Sequence, residues 1–154
     1  MNKLVETACG IIALILVFMA LDARSGELPD QRLTPGVARS VTLKELCTTS
    51  TKLVRNVPES EKKAVYKEYG QIGNDRSKCA EGQEIDHLIS LEIAGSNDIK
   101  NLWPQSFCGT NNARDKDKLE NELHRRICSG KMTIQQAQSC ISTNWISCYK
   151  DIFK

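Results

Sequence analysis

The sequence predicts an α+β fold in which a small β-hairpin packs with amphipathic helices and is stapled by disulfides. Two short segments, 84–91 and 101–105, flank Gly95-Ser96-Asn97-Asp98, which has the composition of a turn, so they read as paired strands. Leu119, Leu123 and Ile127 recur every fourth residue in the stretch 113–127, where Arg, Lys, Asp and Glu fill the remaining face, as an amphipathic helix requires. Seven cysteines in 154 residues, with no C-x-x-C pair among them, point to disulfides rather than to a metal ribbon or treble clef. That length excludes a repeat array or a multidomain enzyme. A net charge of +2 excludes a protein that coats nucleic acid through a broad basic field, so any such contact is local.

Along the chain, residues 9–21 (CGIIALILVFMAL) form an apolar run preceded by Lys3 and followed by Asp22-Ala23-Arg24-Ser25. A bilayer span needs about 20 apolar residues. The shorter run reads as the core of a signal peptide over 1–25, cleaved near Ala23 or Ser25, and an uncleaved N-terminal membrane anchor is the competing reading. Cleavage removes two charges of each sign together with Cys9, so the balance stays at +2 and the remaining cysteines become an even set. Such a set suits an oxidising, extracytoplasmic location, periplasmic or secreted, with no stable membrane association after cleavage.

Residues 26–41, rich in Pro, Gly and polar side chains, read as an irregular arm, and residues 42–154 as the folded domain. Thr42 and Glu45 have the spacing of a capping box, which predicts a short helix from Leu43 that carries Leu46 and Cys47 inward. The segment 53–57 reads as a strand. Pro58 and Ser60 open a helix to about Tyr69, with Ala64, Val65 and Tyr69 on one side and Gly70 as its stop. A Gly- and charge-rich loop over 71–82, tied down by Cys79, leads into the hairpin and then the helix ending at Ser129-Gly130. Thr133 and Gln136 form a second capping box for a last helix, with Ile134, Ala137, Ile141, Trp145 and Cys148 as its core stripe.

A continuous last helix restricts the six candidate disulfide cysteines, Cys47, Cys79, Cys108, Cys128, Cys140 and Cys148. Eight residues of helix separate Cys140 from Cys148 by about 12 Å, whereas bridged Cα atoms lie within about 7 Å. The expectation is that these two do not pair, and that Cys128, Cys140 and Cys148 each take one of Cys47, Cys79 and Cys108.

Only two histidines are present. His87 follows Asp86 inside the apolar strand Ile85-Asp86-His87-Leu88-Ile89, where an acid and an imidazole must be partnered or reach solvent. Local pattern alone favours a structural hydrogen-bonded pair. The hairpin raises the chemical reading, because it returns Asn101 beside the first strand and lets the next helix bring Asn111 or Asn112 towards Asp86.

Glu84-Ile85-Asp86-His87-Leu88-Ile89-Ser90-Leu91-Glu92, Gly95-Ser96-Asn97-Asp98, Asn101-Leu102-Trp103-Pro104-Gln105 and Asn112-Ala113-Arg114-Asp115-Lys116-Asp117-Lys118-Leu119-Glu120 together resemble the HNH endonucleases of the ββα-metal, or His-Me finger, superfamily. The similarity is to small bacterial members that read D-H-L-I-x-L-E-x-G-G, N-L-W-P and N-A-x-x-K-D-x-L-E, with Ala94 where those often carry glycine. The resemblance implies a ββα-metal hairpin-helix core, Asp86 as a carboxylate metal ligand, and His87 as the general base that deprotonates water. It also implies Asn101 as the residue that fixes the hairpin and the histidine, and Asn112, or alternatively Asn111, as the second metal ligand. A carboxylate and an amide suit one divalent ion such as Mg²⁺, with Mn²⁺ and Zn²⁺ as the other candidates. Arg114 and Lys116 are the cations best placed to contact phosphate.

The remaining residues read more plainly. Lys116, Lys118, Arg125 and Arg126 alternate with Asp115, Asp117, Glu120 and Glu122 and predict a solvated helix face. Trp103 reads as a packing plug, Glu84 as an exposed strand-edge carboxylate with the metal shell as its alternative, Glu92 and Glu120 as groups behind the site, and His124 as a surface or core-edge residue. The expected function is metal-dependent hydrolysis of DNA, with RNA also open, at low sequence specificity. The rivals are a catalytically silent extracytoplasmic binding or structural protein with the same hairpin, and a nuclease toxin or defence effector.

Overall fold

A computed structural model describes residues 27–154, so the expected signal peptide over 1–25 lies outside the described residues. Helices α1 (Leu43–Thr48) and α2 (Glu59–Glu68) precede a hairpin of β1 (Gln83–His87) and β2 (Leu102–Ser106), followed by α3 (Ala113–Cys128) and α4 (Ile134–Ile152). Among the described residues no helix is long and apolar enough to cross a membrane.

Local chemistry sets most boundaries. The Thr42–Glu45 capping box closes in both directions and starts α1, and Thr133 with Gln136 does the same for α4. Gly70, at φ +67°, follows the C-terminal cap of α2 in the left-handed region that glycine enters without a Cβ penalty. The expected strand over 53–57 does not form. Ser50 instead caps a 3₁₀ turn over Thr51–Leu53, and the following carbonyl of Val54 and amide of Asn56 bond to the Asn97 side chain, which leaves no ladder for a strand to join.

The hairpin is antiparallel, with Glu84 opposite Gln105, Asp86 opposite Trp103 and His87 opposite Leu102. It is shorter than predicted at the turn side, because after His87 the Asn101 side chain replaces the ladder. Its Oδ1 accepts from Ile89 N at 3.0 Å, and its Nδ2 donates to Ile89 O at 2.9 Å and Ser96 O at 2.7 Å. The turn is so tight that a Cβ on Gly95 would stand 1.7 Å from the Ile89 carbonyl oxygen, so only glycine fits. The arm is an integral part of the fold: Gly36 N donates to Lys100 O, Arg39 N to Ala94 O, and Ala38 bridges Gly95.

Trp103, Leu88, Ile93, Leu119, Leu123, Ile127, Ile141 and Trp145 form one buried core between the hairpin, α3 and α4. Trp103 is the packing residue expected of it, and the stripe Ala137, Ile141, Trp145 and Cys148 is buried as the spacing predicts.

Three disulfides hold this assembly: Cys47–Cys128, Cys79–Cys108 and Cys140–Cys148, with Cα separations of 5.8, 5.7 and 5.4 Å. They place the folded domain in an oxidising, extracytoplasmic environment. Cys128 pairs within its expected set, but Cys140 and Cys148 pair with each other, and Cys79 with Cys108. The premise of a continuous last helix is what fails. Asn144 has extended backbone (φ −165°, ψ 97°), and its Oδ1 accepts from Ser147 N at 3.0 Å, so it caps a second helical segment inside α4. The break removes the helical rise that would have held the two sulfurs apart.

Candidate active site

Alternation along β1 puts Glu84 and Asp86 on one face of the hairpin, together with their cross-strand neighbours Gln105 and Trp103; Ile85 and His87 lie on the other. Helix α3 meets this face at Asp86, where it presents Lys116 and Glu120 one turn apart.

Lys116 is neither solvated nor free to meet phosphate. It is fully buried, and its ammonium donates to Asp86 Oδ2 at 2.6 Å, to the His87 carbonyl at 2.7 Å and to Glu120 Oε1. Three bonds exhaust an ammonium's donors. A buried charge survives only with such partners, and Lys116 sits on the Leu119-Leu123 side of α3, where packing leaves its head no route to water. Burial opposes the charge on Lys116, but the carboxylates of Asp86 and Glu120 outweigh it and keep the ammonium protonated. Burial pushes Glu120 up to about 8, against the pull of Lys116.

Glu84 is half-buried rather than exposed, and burial, with the charges of Asp86 and Asp117 added, pushes its carboxyl up to about 7. Burial likewise raises Asp117, with Asp86 contributing.

His87 is 2 % exposed. Its Nε2 lies 3.1 Å from Asn97 Oδ1. That amide is oriented by two further bonds, since its oxygen accepts from Asn56 N at 3.2 Å and its nitrogen donates to Val54 O at 2.7 Å. The network therefore assigns the proton to Nε2 and leaves the lone pair on Nδ1. Burial lowers the His87 pKa from its ordinary value, with Asp86 and the Asn97 bond opposing.

Asn97 and Arg55 are the residues sequence reasoning missed. Asn97 read only as a turn former, and nothing in the sequence distinguishes an amide that closes a turn from one that holds a ring ten residues away. Arg55 lies between the two backbone groups clamped by Asn97. It is exposed, its charge acts on Glu84, His87 and Asp117, and it makes no ion pair among the described residues.

Asn101 holds the hairpin turn as expected, but the imidazole is oriented by Asn97. Asn112 is the N-cap of α3: its Oδ1 accepts from Arg114 N at 3.0 Å, and its Nδ2 donates to Gly109 O at 2.9 Å. Asn111 beside it has left-handed backbone, φ 55°. Arg114 pairs with Glu81 and lies over the Phe107 ring at 5.3 Å. Glu81 precedes Asp86 by five residues, roughly 16 Å of extended chain, so Arg114 serves the open end of the hairpin rather than the Asp86 end. His124 Nδ1 donates to Glu92 O at 2.7 Å, which makes it core-edge, one of the two places its spacing allowed.

Among the described residues no three His, Cys, Asp or Glu side chains are placed to close on a metal ion by themselves. The donor set at Asp86 is nevertheless one for a hard cation. Among the described residues Asp86 Oδ1 and the Glu84 carboxylate make no hydrogen bond, and the six cysteines there are consumed in disulfides, which leaves carboxylate oxygens as the open donors. Comparison of the chain with protein-family models, with curated proteins and with solved structures returns no match.

Proposed function

We propose that the protein is a metal-dependent endonuclease of the HNH type that hydrolyses DNA, with a ββα-metal core formed by β1, β2 and α3. One observation carries the reading: His87, which follows Asp86 at the end of β1, has its imidazole held through Nε2 by Asn97 so that Nδ1 is the free base. In this reading Nδ1 takes a proton from water, the hydroxide attacks phosphorus, and the ester oxygen on the opposite side leaves. Asp86 would hold a hard divalent ion, which supplies charge stabilisation to the phosphate and the leaving oxygen. Arg55, clamped beside His87, is the cation that meets the scissile phosphate in place of Lys116 and Arg114. The absence of a second recognition element in the described domain favours low sequence specificity.

Plasmid nicking by the disulfide-intact protein tests this. Cleavage is expected with Mg²⁺ or Mn²⁺, is abolished by EDTA and is lost in His87→Ala; metal-independent cleavage, or full activity of that variant, excludes the mechanism. A second reading, a catalytically silent extracytoplasmic protein, is favoured by the near-complete burial of His87 and by the Lys116 ammonium already seated on Asp86. Absence of cleavage by correctly bridged protein decides for it.

A further inference from the structure

Gln105 is fully buried, and neither its Oε1 nor its Nε2 finds a partner among the described residues. Trp103 Nε1, on the same hairpin face, is also buried without one. Such groups are ordinarily paired with protein or with something bound, because desolvation without a partner is unfavourable. Gln105 stands directly opposite Glu84, and Trp103 directly opposite Asp86, so the unpartnered groups and the two carboxylates share one side of the sheet. Directly opposed Cβ atoms are about 4.5–5.5 Å apart, within reach of a common ion or water.

The charges around this face do not balance. Asp86, Glu120, Glu84 and Asp117 act on one another there, against the ammonium of Lys116 and the guanidinium of Arg55. Lys116 spends its three donors on Asp86 Oδ2, Glu120 and the His87 carbonyl, which leaves Asp86 Oδ1 and the whole of Glu84 without a hydrogen-bonded counter-charge. Asp86 Oδ1 and the Glu84 oxygens are therefore the donors on this face left open to a cation.

We propose that Glu84, Asp86 and the side-chain carbonyl of Gln105 form a binding site for one hard divalent cation, of the Mg²⁺ or Ca²⁺ class, on the face of the hairpin that carries Asp86 and Trp103. Carboxylate and amide oxygens with water in the remaining positions suit such an ion. The set differs from the pair Asp86 and Asn112: the Asn112 amide is committed to capping α3, and the amide that completes the site comes from β2 instead. What the ion does in cleavage rests on the nuclease reading; that it binds does not.

Terbium(III), a luminescent stand-in for hard divalent cations, titrated into the disulfide-intact protein with tryptophan excitation, reads the site through Trp103. Saturable sensitised emission at one ion per chain, displaced by Mg²⁺ or Ca²⁺, is expected. Glu84→Gln and Gln105→Leu are each expected to weaken binding at least about tenfold, while Asn112→Ala binds as the parent does. Gln105→Leu keeps the side-chain volume and removes the unpartnered amide, so its thermal midpoint holds or rises and loss of binding is not loss of fold. Absence of saturable emission, or parent-like binding by either Glu84→Gln or Gln105→Leu, overturns the site and leaves Gln105 to a buried water. Parallel nicking assays separate the two readings: ion binding without cleavage keeps the site and ends the nuclease reading, whereas cleavage without saturable ion binding keeps the nuclease reading and overturns the site.

Discussion

Asn97 joins the catalytic candidate to a neighbouring loop through one amide, receiving the His87 ring and the Asn56 N–H on its oxygen and giving its N–H to Val54 O. Asn97→Ala frees the ring and the Arg55 segment together, and misplacement of this kind costs on the order of 10²-fold in rate. A nicking assay with folding checked by circular dichroism is the measurement, and an unchanged rate removes the positioning role. Burial lowers the His87 pKa, so its base form persists below the ordinary 6.5. The acidic limb of the pH–rate profile is therefore expected below pH 6.5; a limb above that value means another group is the base. Lys116 is the structural counterpart. Lys116→Met strands Glu120 beside Asp86 in the interior, a loss of about 3–5 kcal/mol by urea denaturation. Adding Glu120→Leu is expected to recover part of it.

Helix α4 is where element-scale reasoning met its limit. The apolar stripe is continuous in sequence, so periodicity read one helix, while Ser142-Thr143-Asn144 in its middle carried the competing signal. Such side chains cap helices as readily as they continue them, and here Asn144 caps. The consequence is a local disulfide, Cys140–Cys148, of sequence separation 8, against separations of 29 for Cys79–Cys108 and 81 for Cys47–Cys128. Chain-entropy scaling then predicts that removing Cys47–Cys128 as a double alanine variant costs about 4.5 kcal/mol and removing Cys140–Cys148 about 2.5 kcal/mol. Urea midpoints compare the two, and equal losses contradict the ordering. A non-reducing peptide map should return the 140–148 link as one short internally bridged peptide.

For the whole molecule, the bridges divide the work. Cys47–Cys128 ties α1 to the end of α3, and Cys79–Cys108 closes the loops at the open end of the hairpin, so the two cross-links brace both sides of the site. Domains of this size are stable by only about 5–15 kcal/mol in total, which the loss of all three bridges rivals. Reduction is expected to abolish near-ultraviolet circular dichroism and nicking together. The same dependence predicts that the leaderless chain is harmless when made in a reducing cytoplasm, and strong toxicity there would refute it.

The sequence by itself determined the hairpin with its Gly95 turn, both capping boxes, the α3 stripe, the buried Trp103 and the adjacency of Asp86 and His87. Each is written in spacing or in local side-chain to backbone chemistry, which acts over a few residues whatever surrounds it. Only the tertiary structure decided that Lys116 is a buried counter-ion, that Asn97 rather than Asn101 holds the imidazole, that Gln105 faces Glu84 unpartnered, and which cysteines meet. Those outcomes depend on which face α3 lays on the sheet and on one helix break. A charged residue on a helix reads the same in sequence whether its head ends in water or between two carboxylates, because desolvation and pairing energies arise only once the distant partners are packed against it.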